Sequence, residues 1–433
     1  MKVHVATYGC PSSQAASEIM MDAIKRQGHE LVDEKSADVV VFNTCTVKYT
    51  TEQKILHKIG ELGRKGLEVV VSGCMPEVQH DDILDNNQDA HILGVNSITR
   101  INEVLDSIEN AKNKNNSGRR LEIFSSRPDD ILNAPRTRFN QNIHICQISQ
   151  GCNNRCAYCV VRTARGKLKS FDIDSIVEDV RKAVSEGCRE IWITSQDNAQ
   201  YGIDRQNGVL LPQLLDRVAS IEGNFKIRVG MMNPFSVYPI LDDLLKVYEN
   251  NKIYKFLHLP IQSASEKVLG YMNRNYTMSE VDEIITKFRS RFNDLTLVTD
   301  IIVGFPGETE DDFYKSIDWV KNYRPDKVNI SRYTPRPHTK ALEYRNIDSR
   351  IVVRRSNELH HVCDTVKLES KKEMVGWHGK VFVSKDAKYK GVMARTESYK
   401  PVVIPESNLP PGQWCDVEIT DTTSGYFLGK LTD

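Results

Sequence analysis

The sequence lacks any run of about 18 consecutive apolar residues, so no segment of it is expected to cross a membrane. Its first residues, Met1 to Val5, are typical of a strand and lack the long apolar stretch of a secretory signal peptide. The chain also lacks net charge, because 58 basic residues balance 58 acidic ones. Any nucleic acid would therefore have to be bound by local basic patches. We expect a soluble, cytoplasmic protein.

Disulfide bonds are not expected, although the chain contains ten cysteines. A chain of 433 residues without secretory features is not a small disulfide-stabilised domain. Cysteines that cluster in such a protein are better interpreted as metal ligands. The length exceeds what one hydrophobic core normally holds and predicts two or three domains.

The order of predicted strands and helices divides the chain into four parts. Residues 1–112 alternate strands with helices, which predicts a parallel α/β domain. Residues 113–138 begin with a polar stretch that lacks periodicity, and we interpret them as a linker. Residues 139–370 contain six strand–helix units, which predict a partial (β/α)6 barrel. Residues 371–433 contain five short strands and predict a small β-barrel. The predicted strands of the central barrel are Ile143–Ser149, Glu190–Thr194, Lys226–Val229, Lys255–Leu259, Leu295–Val303 and Lys327–Ser331.

A triplet of cysteines follows the first strand of the predicted central barrel. Cys152, Cys156 and Cys159 have the spacing C-x3-C-x2-C, with Tyr158 before the last of them. Thiolates are soft ligands that suit iron–sulfur clusters, and three of them leave one iron of a cubane open. A zinc site would normally need four protein ligands, and this loop contains no fourth cysteine or histidine. The alternative is three loosely grouped loop cysteines.

This triplet, together with the barrel pattern, resembles the radical S-adenosylmethionine (SAM) superfamily. The resemblance implies that the open iron binds SAM and that reductive cleavage yields a 5′-deoxyadenosyl radical. Catalytic loops of parallel barrels lie at the carboxyl ends of the strands, so the loops there are expected to contact SAM. Gly304 to Gly307 would allow the backbone to approach the adenosyl group closely, with a plain tight turn as the alternative. Asp300 could instead make a structural hydrogen bond, and Gln196 and Gln262 could contact SAM or substrate. The candidate SAM-binding residues are Tyr158, Gln196, Gln262, Asp300, Gly304, Phe305, Pro306 and Gly307.

Three further cysteines occupy matching positions in the first domain. Cys10, Cys45 and Cys74 follow the first, second and third of its major predicted strands. In an open parallel sheet such loops meet in one crevice, where three thiolates would hold a second cubane. The alternative for each is an ordinary core cysteine.

Taken as an ordered set, these motifs resemble the methylthiotransferases, and the C-terminal barrel resembles the RNA-binding TRAM domain. The branch most similar acts on N6-threonylcarbamoyladenosine in tRNA. The resemblance implies two [4Fe–4S] clusters, SAM, an external electron donor, a sulfur source and conversion of the nucleoside at position 37, next to the anticodon, to its 2-methylthio derivative. The motifs are Thr7–Cys10, Asn43–Val47, Gly73–Cys74, the C-x3-C-x2-C loop, Ala164–Gly166, His258–Pro260, Gln262–Ser263 and Thr299–Glu308.

Other functions remain as alternatives at this stage. An isopentenyladenosine tRNA methylthiotransferase or a ribosomal-protein methylthiotransferase would share these motifs. An electron carrier would not need six special loops on a barrel rim, and a pure RNA-binding module would not need six ordered cysteines. The chain departs from the family pattern at Ser13, Glu77, His338 and Lys340.

Substrate contacts are predicted in two places. Arg228 is a candidate clamp for the carboxylate of the threonylcarbamoyl group, and Asn233 could reach its urea-like linkage. Alternatively, Arg228 points outward and pairs with an acid on a helix. Basic residues of the C-terminal barrel are expected to contact tRNA phosphates, with a plain solvated face as the alternative. This basic set comprises Lys380, Lys385, Lys388, Lys390, Arg395 and Lys400.

Overall fold

A computed structural model describes residues 1–46, 49–113, 120–387 and 390–432. The first domain has six strands: β1 Lys2–Thr7, β2 Glu30–Leu31, β3 Val39–Thr44, β4 Glu68–Gly73, β5 His91–Gly94 and β6 Glu122–Ile123. Its four helices are α1 Pro11–Arg26, α2 Tyr49–Arg64, α3 His80–Asn86 and α4 Ile101–Asn113. The strands pair in parallel in the order β2-β1-β3-β4-β5-β6. Among the described residues, no helix has the length and apolar character needed to span a membrane.

The continuous apolar run in β3 explains why this sheet is covered on both faces. Val39 and Val41 pack on one side with residues of α1 and α4. Val40 and Phe42 pack on the other side with residues of α2 and α3. Strands buried on both faces read as hydrophobic runs rather than as alternating patterns. The predicted linker also contributes to this sheet, because β6 pairs with the edge strand β5.

The second domain contains six parallel strands of a partial barrel: β7 Ile143–Gln147, β10 Glu190–Thr194, β11 Lys226–Val229, β12 Phe256–His258, β13 Thr296–Val303 and β14 Lys327–Arg332. A short hairpin of β8 Ser149–Gln150 and β9 Lys169–Ser170 follows β7. The helices are α5 Val161–Arg165, α6 Ile173–Ser185, α7 Leu211–Ala219, α8 Pro234–Val237, α9 Leu241–Tyr248, α10 Glu266–Tyr271, α11 Met278–Arg291, α12 Glu310–Tyr323 and α13 Ser349–Lys372. A bridge between Ile227 and Ile253 joins the two three-stranded halves, so the strand order follows the chain.

The third domain is a closed five-stranded barrel. Its strands are β15 His378–Asp386, β16 Val392–Arg395, β17 Pro401–Ile404, β18 Trp414–Thr422 and β19 Phe427–Leu431, and they close in the order β15-β16-β17-β19-β18. Alternate residues of these strands, such as Val381 and Val383, fill the interior. The predicted fold class of all three domains is therefore confirmed.

The turn between β16 and β17 closes one end of the central barrel. Tyr399 packs with Tyr254 and Phe256 and donates a hydrogen bond to Glu190 Oε1 at 3.0 Å. Lys255 N donates to Glu397 O at 3.0 Å. Because these partners lie at or just before the first residues of β10 and β12, the turn covers the amino ends of the strands. The cysteine loop lies at the opposite rim, where parallel barrels carry their catalytic loops.

Candidate active site

The central cysteine loop runs from the β8 strand to helix α5 and is fixed by backbone hydrogen bonds. Cys152 N donates to Gly166 O at 3.2 Å, and Cys159 N donates to Cys156 O at 3.1 Å. Gly151 has a φ of +77°, and a Cβ there would lie 2.1 Å from Lys167 O. Only glycine fits this close approach of two backbone segments. The loop is thus held in one shape before any ligand binds.

Two polar side chains hydrogen-bond to thiols of this loop. Gln200 Nε2 lies 3.7 Å from Cys152 Sγ. Arg274 donates through Nη1 to Cys156 Sγ at 3.5 Å and through Nη2 to Pro260 O at 2.8 Å. Neither Gln200 nor Arg274 was predicted as a site residue. Their only sequence signal is position, since each lies in a loop near the carboxyl end of a barrel strand.

Burial makes these thiols poor thiolates unless a cation is bound. Desolvation, with the charge of Asp197 second, raises the pKa of Cys152 to about 11. Desolvation, followed by the neighbouring Cys156, raises the pKa of Cys159 to about 12. Metal binding requires deprotonated cysteine and supplies the positive charge that stabilises it. Three partly buried thiols on one fixed loop therefore fit a metal group.

Neither cysteine trio forms a ready-made compact zinc site among the described residues. A tetrahedral zinc with Zn–S bonds near 2.3 Å holds its thiolates only about 3.8 Å apart. Within the described part of the chain, neither cysteine trio has all its sulfurs within 4.8 Å of one another. The one group that meets this limit is His144, Cys146 and Asp179, where His144 Nε2 and Asp179 Oδ2 already share a hydrogen bond of 2.7 Å. Cys146 is fully buried in the core, as expected from the sequence.

An aromatic cluster surrounds the cysteine loop. Tyr158 meets Phe305 edge-on with ring centroids 6.3 Å apart. Phe305 is fully buried and also contacts Tyr333 and Tyr344. Pro306, next in the chain, is buried as well. The structure thus brings the predicted Tyr158 and the Gly304–Gly307 turn together.

The structure explains the two glycines of this turn by packing, which was not expected from the sequence. Gly304 and Gly307 have φ values of +77° and +87°. A Cβ on Gly304 would lie 2.5 Å from Val352 of α13, and one on Gly307 would lie 2.7 Å from Tyr271. Protein packing therefore explains both glycines, without invoking close approach to an adenosyl group.

The other predicted SAM contacts lie on the barrel rim or inside the barrel. Gln196 follows β10, and its Oε1 is buried with no hydrogen-bond partner among the described residues. Gln262 has a φ of +62° and bridges to β13 through its backbone. Asp300 accepts hydrogen bonds from His258 Nε2 at 2.8 Å and Asn329 Nδ2 at 2.7 Å. The structure therefore gives Asp300 the protein hydrogen bonds that a buried carboxylate needs.

The three N-terminal cysteines occupy the crevice at the carboxyl ends of β1, β3 and β4. Cys10 precedes α1, and its Sγ lies 3.8 Å from Ser13 Oγ. Cys74 N donates to Thr44 O at 3.1 Å, which ties the Cys74 loop to the Cys45 loop. A Cβ on Gly9 would lie 2.9 Å from the Cβ of Cys45, so the loop of Cys10 touches Cys45.

Arg165 of α5 reaches this crevice from the central domain. Its guanidinium lies within electrostatic range of the thiols of Cys74, Cys10 and Cys45. Desolvation would raise the pKa of the Cys10 thiol, but the charge of Arg165 and the amides of Ser12 and Ser13 lower it below its usual value. The charge of one side chain thus acts on all three predicted ligands. Arg165 belongs to the Ala164–Gly166 motif of the family, but no role was predicted for it.

A second arginine ties the sixth barrel loop to the same domain. Arg336 forms an ion pair with Glu52 of α2, and both side chains are almost completely buried. Thr46, which follows Cys45, donates to the same Glu52 carboxylate at 3.3 Å. The two cysteine sites therefore face each other across a polar, buried domain contact.

Arg228 points into the barrel, so the alternative that it points outward is wrong. Its guanidinium lies over the rings of Trp192, Phe256 and Tyr399, at 5.4, 4.8 and 5.4 Å from their centroids. Its Nε is buried without a hydrogen-bond partner in the described chain. Asn233 caps α8, and its Oδ1 accepts from Phe235 N at 3.3 Å.

The basic residues of the C-terminal barrel separate into two groups. Lys380, Lys385 and Lys390 are exposed. Arg395 instead lies over the Tyr399 ring at 4.5 Å, and Lys400 is nearly buried beside Asp294. This placement argues against tRNA contacts for the last two. Lys388 lies outside the described residues.

Comparison with known proteins agrees with this geometry. Residues 146–320 match the radical SAM superfamily, residues 2–94 match the uncharacterized protein family UPF0004, and residues 372–432 match the TRAM domain. The chain is similar in fold to the radical SAM methyltransferase TsrM from Kitasatospora setae, with a TM-score of 0.55 and 13% identity, covering 78% of this chain and 76% of that one.

Relatives with assigned activities match over the whole chain. The probable threonylcarbamoyladenosine tRNA methylthiotransferase of Pyrococcus abyssi is 41% identical, over 100% of this chain and 99% of the relative. The corresponding protein of Archaeoglobus fulgidus is 38% identical over 100% and 99%. The threonylcarbamoyladenosine tRNA methylthiotransferase of Drosophila melanogaster is 34% identical over 100% of this chain and 78% of its own. This chain therefore belongs to the threonylcarbamoyladenosine tRNA methylthiotransferase family of radical SAM proteins.

Proposed function

We propose that this enzyme attaches a methylthio group to C2 of N6-threonylcarbamoyladenosine at position 37 of tRNA. The observation that carries the proposal is the packing of Cys74 against Val160 and Ala164, which directly follow the central cysteine loop, so that both cysteine loops lie at one domain contact. The full-length similarity to relatives with this assigned activity supports the same substrate.

The central site binds SAM and a [4Fe–4S] cluster, as membership of the radical SAM superfamily implies. Cys152, Cys156 and Cys159 would hold the cluster, and SAM bound there would supply the radical chemistry needed to activate C2. The adenine C2–H bond is not acidic enough for ordinary base catalysis. Arg274 offsets the negative charge of the thiolates through its hydrogen bond to Cys156.

The second cluster is a proposal of its own, with Cys10, Cys45 and Cys74 as ligands. A sulfur held there would be methylated by another SAM before transfer to C2. Sulfur source and electron donor are proposed to be external, because the reaction consumes both sulfur and electrons. A tRNA substrate also favours the cytoplasm as the place of action.

The barrel interior suits the threonylcarbamoyl group better than an isopentenyl group. Arg228 presents a guanidinium without a carboxylate partner in the described chain, and His258 and Asn329 add polar groups beside Asp300. A guanidinium can bind a carboxylate through two parallel hydrogen bonds. An apolar isopentenyl chain would leave the buried Nε of Arg228 unpaired, which is costly.

The test is expression in a host that lacks its own enzyme of this type, followed by mass spectrometry of tRNA nucleosides. We expect 2-methylthio-N6-threonylcarbamoyladenosine with the wild-type chain and none with Cys156→Ala, the matched control. Methylthio-isopentenyladenosine alone, or a methylthiolated ribosomal protein instead, would contradict the proposed substrate and leave the chemistry in place.

A further inference from the structure

Arg165 is a buried cation with an unusual set of partners. It is only 8% exposed. Three other arginines with nearly buried side chains pair with carboxylates: Arg136 with Asp179, Arg336 with Glu52 and Arg355 with Glu308. Within the described part of the chain Arg165 has no such ion pair, and its charge partners are the thiols of Cys74, Cys10 and Cys45. A buried charge without a counter-charge is strongly destabilising, so this guanidinium requires an anion at the cysteine crevice.

Packing around the guanidinium fixes its place independently of charge. Val160 and Ala164, on the same segment as Arg165, pack in one apolar cluster with Cys74 and Val78 of the first domain. Arg165 also lines a small cavity with Ser12, Asn43 and Gly73, which are chain neighbours or near neighbours of the three cysteines. The side chain therefore borders a cavity beside the loops that carry the three cysteines.

Charge at this position has a defined effect on an iron–sulfur cluster. Cluster reduction potentials are set by net charge, hydrogen bonds to sulfur and solvent exposure. A cluster with three thiolates becomes more negative on reduction, so a fixed cation beside it stabilises the reduced form. Arg165 supplies a positive charge beside these proposed ligand sulfurs.

We propose that Arg165 is the counter-charge of the N-terminal cluster, a positioning residue donated by the central domain that raises the reduction potential of that cluster. The inference rests on the proposed second cluster. Because α5 directly follows the central cysteine loop, the charge reaches the first domain only when the two domains are docked. An assembled N-terminal site thus depends on a residue of the radical-generating domain.

The experiment compares reconstituted full-length enzyme with the variants Arg165→Gln and Arg165→Lys. Arg162→Gln is the matched control, because it removes the same charge from the same helix at a side chain that contacts Asn153 O of the central loop. Redox titration followed by electron paramagnetic resonance should give two reduction steps, and the step that SAM shifts identifies the central cluster. Iron content and 5′-deoxyadenosine formation are measured in parallel.

For Arg165→Gln we expect the step insensitive to SAM to move to lower potential by about 59 mV or more, a tenfold change for one electron. Arg165→Lys should lie near the wild type, and Arg162→Gln should leave this step in place. Eight irons with no shift in Arg165→Gln would overturn the proposal. Arg165→Gln could instead lose four irons. In that case, retention of eight irons by Arg165→Lys would support the role of charge, whereas loss of four irons in both variants would overturn the proposal. A wild-type enzyme with only four irons would instead refute the second cluster itself.

Discussion

Arg228 lies in the barrel interior among three aromatic rings, one of which belongs to the C-terminal domain. The rings hold the guanidinium plane by cation–π contacts while leaving its hydrogen-bond donors free for a ligand. Its Nε has no partner in the described chain, although it is buried. A substrate carboxylate that extended from the cysteine rim toward the amino end of the barrel would satisfy this donor, so Arg228 tests how the substrate group is recognised.

Replacing Arg228 by Gln should lower kcat/KM for tRNA that carries the threonylcarbamoyl group by about 10- to 100-fold. A hydrogen bond to a charged group contributes about 1.5–3 kcal/mol, and each 1.4 kcal/mol is about tenfold. Arg228→Lys should recover part of the loss, because lysine keeps the charge but not the paired geometry. Formation of 5′-deoxyadenosine in the absence of tRNA is the control and should not change. An unchanged kcat/KM in Arg228→Gln would remove Arg228 from the substrate site.

The two cysteine loops should carry separable chemistry. In reconstituted protein we expect about eight irons, and about four after replacement of either cysteine trio by Ala. Without Cys10, Cys45 and Cys74 the enzyme should still cleave SAM to 5′-deoxyadenosine but form no methylthio product. Without Cys152, Cys156 and Cys159 it should form neither. Full iron content in both triple variants would show that the ligands are wrong.

The Gly304 turn gives a second test at the level of loops and helices. Gly304→Ala adds a Cβ 2.5 Å from Val352 at a φ of +77° and should destabilise the protein by about 1–3 kcal/mol. Gly270→Ala is the control, because its added Cβ meets nothing within 4 Å inside helix α10. Alanine is the better helix former, so Gly270→Ala should leave the apparent Tm unchanged or raise it. Equal Tm values for the two variants would contradict the packing role of Gly304.

Strands were predictable because their apolar runs are local. Glu190–Thr194 and Lys226–Val229 have the bounds expected from the sequence. The strand Glu122–Ile123 was missed because a two-residue edge strand carries no periodic signal.

Contacts between distant residues could not be read from the sequence in the same way. Arg165 and Arg274 lie close to thiols that are distant from them in the sequence. Composition and spacing therefore could not predict a role for either arginine. For the same reason Gly304 was assigned to a ligand, while the structure shows that helix α13 requires it. Local pattern thus predicted the cysteine trios and their loops, and tertiary packing decided which charged residues support them.

In the whole molecule, the C-terminal barrel has one face that packs on the central barrel and another that is exposed. One face carries Tyr399 and Lys400 into the amino end of the central barrel, where Lys400 pairs with Asp294. The other face presents exposed lysines. Deleting this domain would uncover the end of the central barrel and unseat the rings around Arg228, so a loss of activity would not report on tRNA binding alone.

Point variants in the full chain separate the contributions of these two faces. The triple variant Lys380→Ala, Lys385→Ala, Lys390→Ala should weaken tRNA binding and raise KM, while leaving Tm and tRNA-independent SAM cleavage unchanged. Each lost phosphate contact should reduce the slope of log K against log salt concentration by about 0.7–0.9, so the dependence on salt should become shallower. The matched control replaces three exposed lysines of the first domain, Lys25, Lys35 and Lys65, by Ala. Because the control removes the same charge elsewhere, equal weakening by both triple variants would mean that the C-terminal barrel contributes only its general charge and does not form a tRNA site.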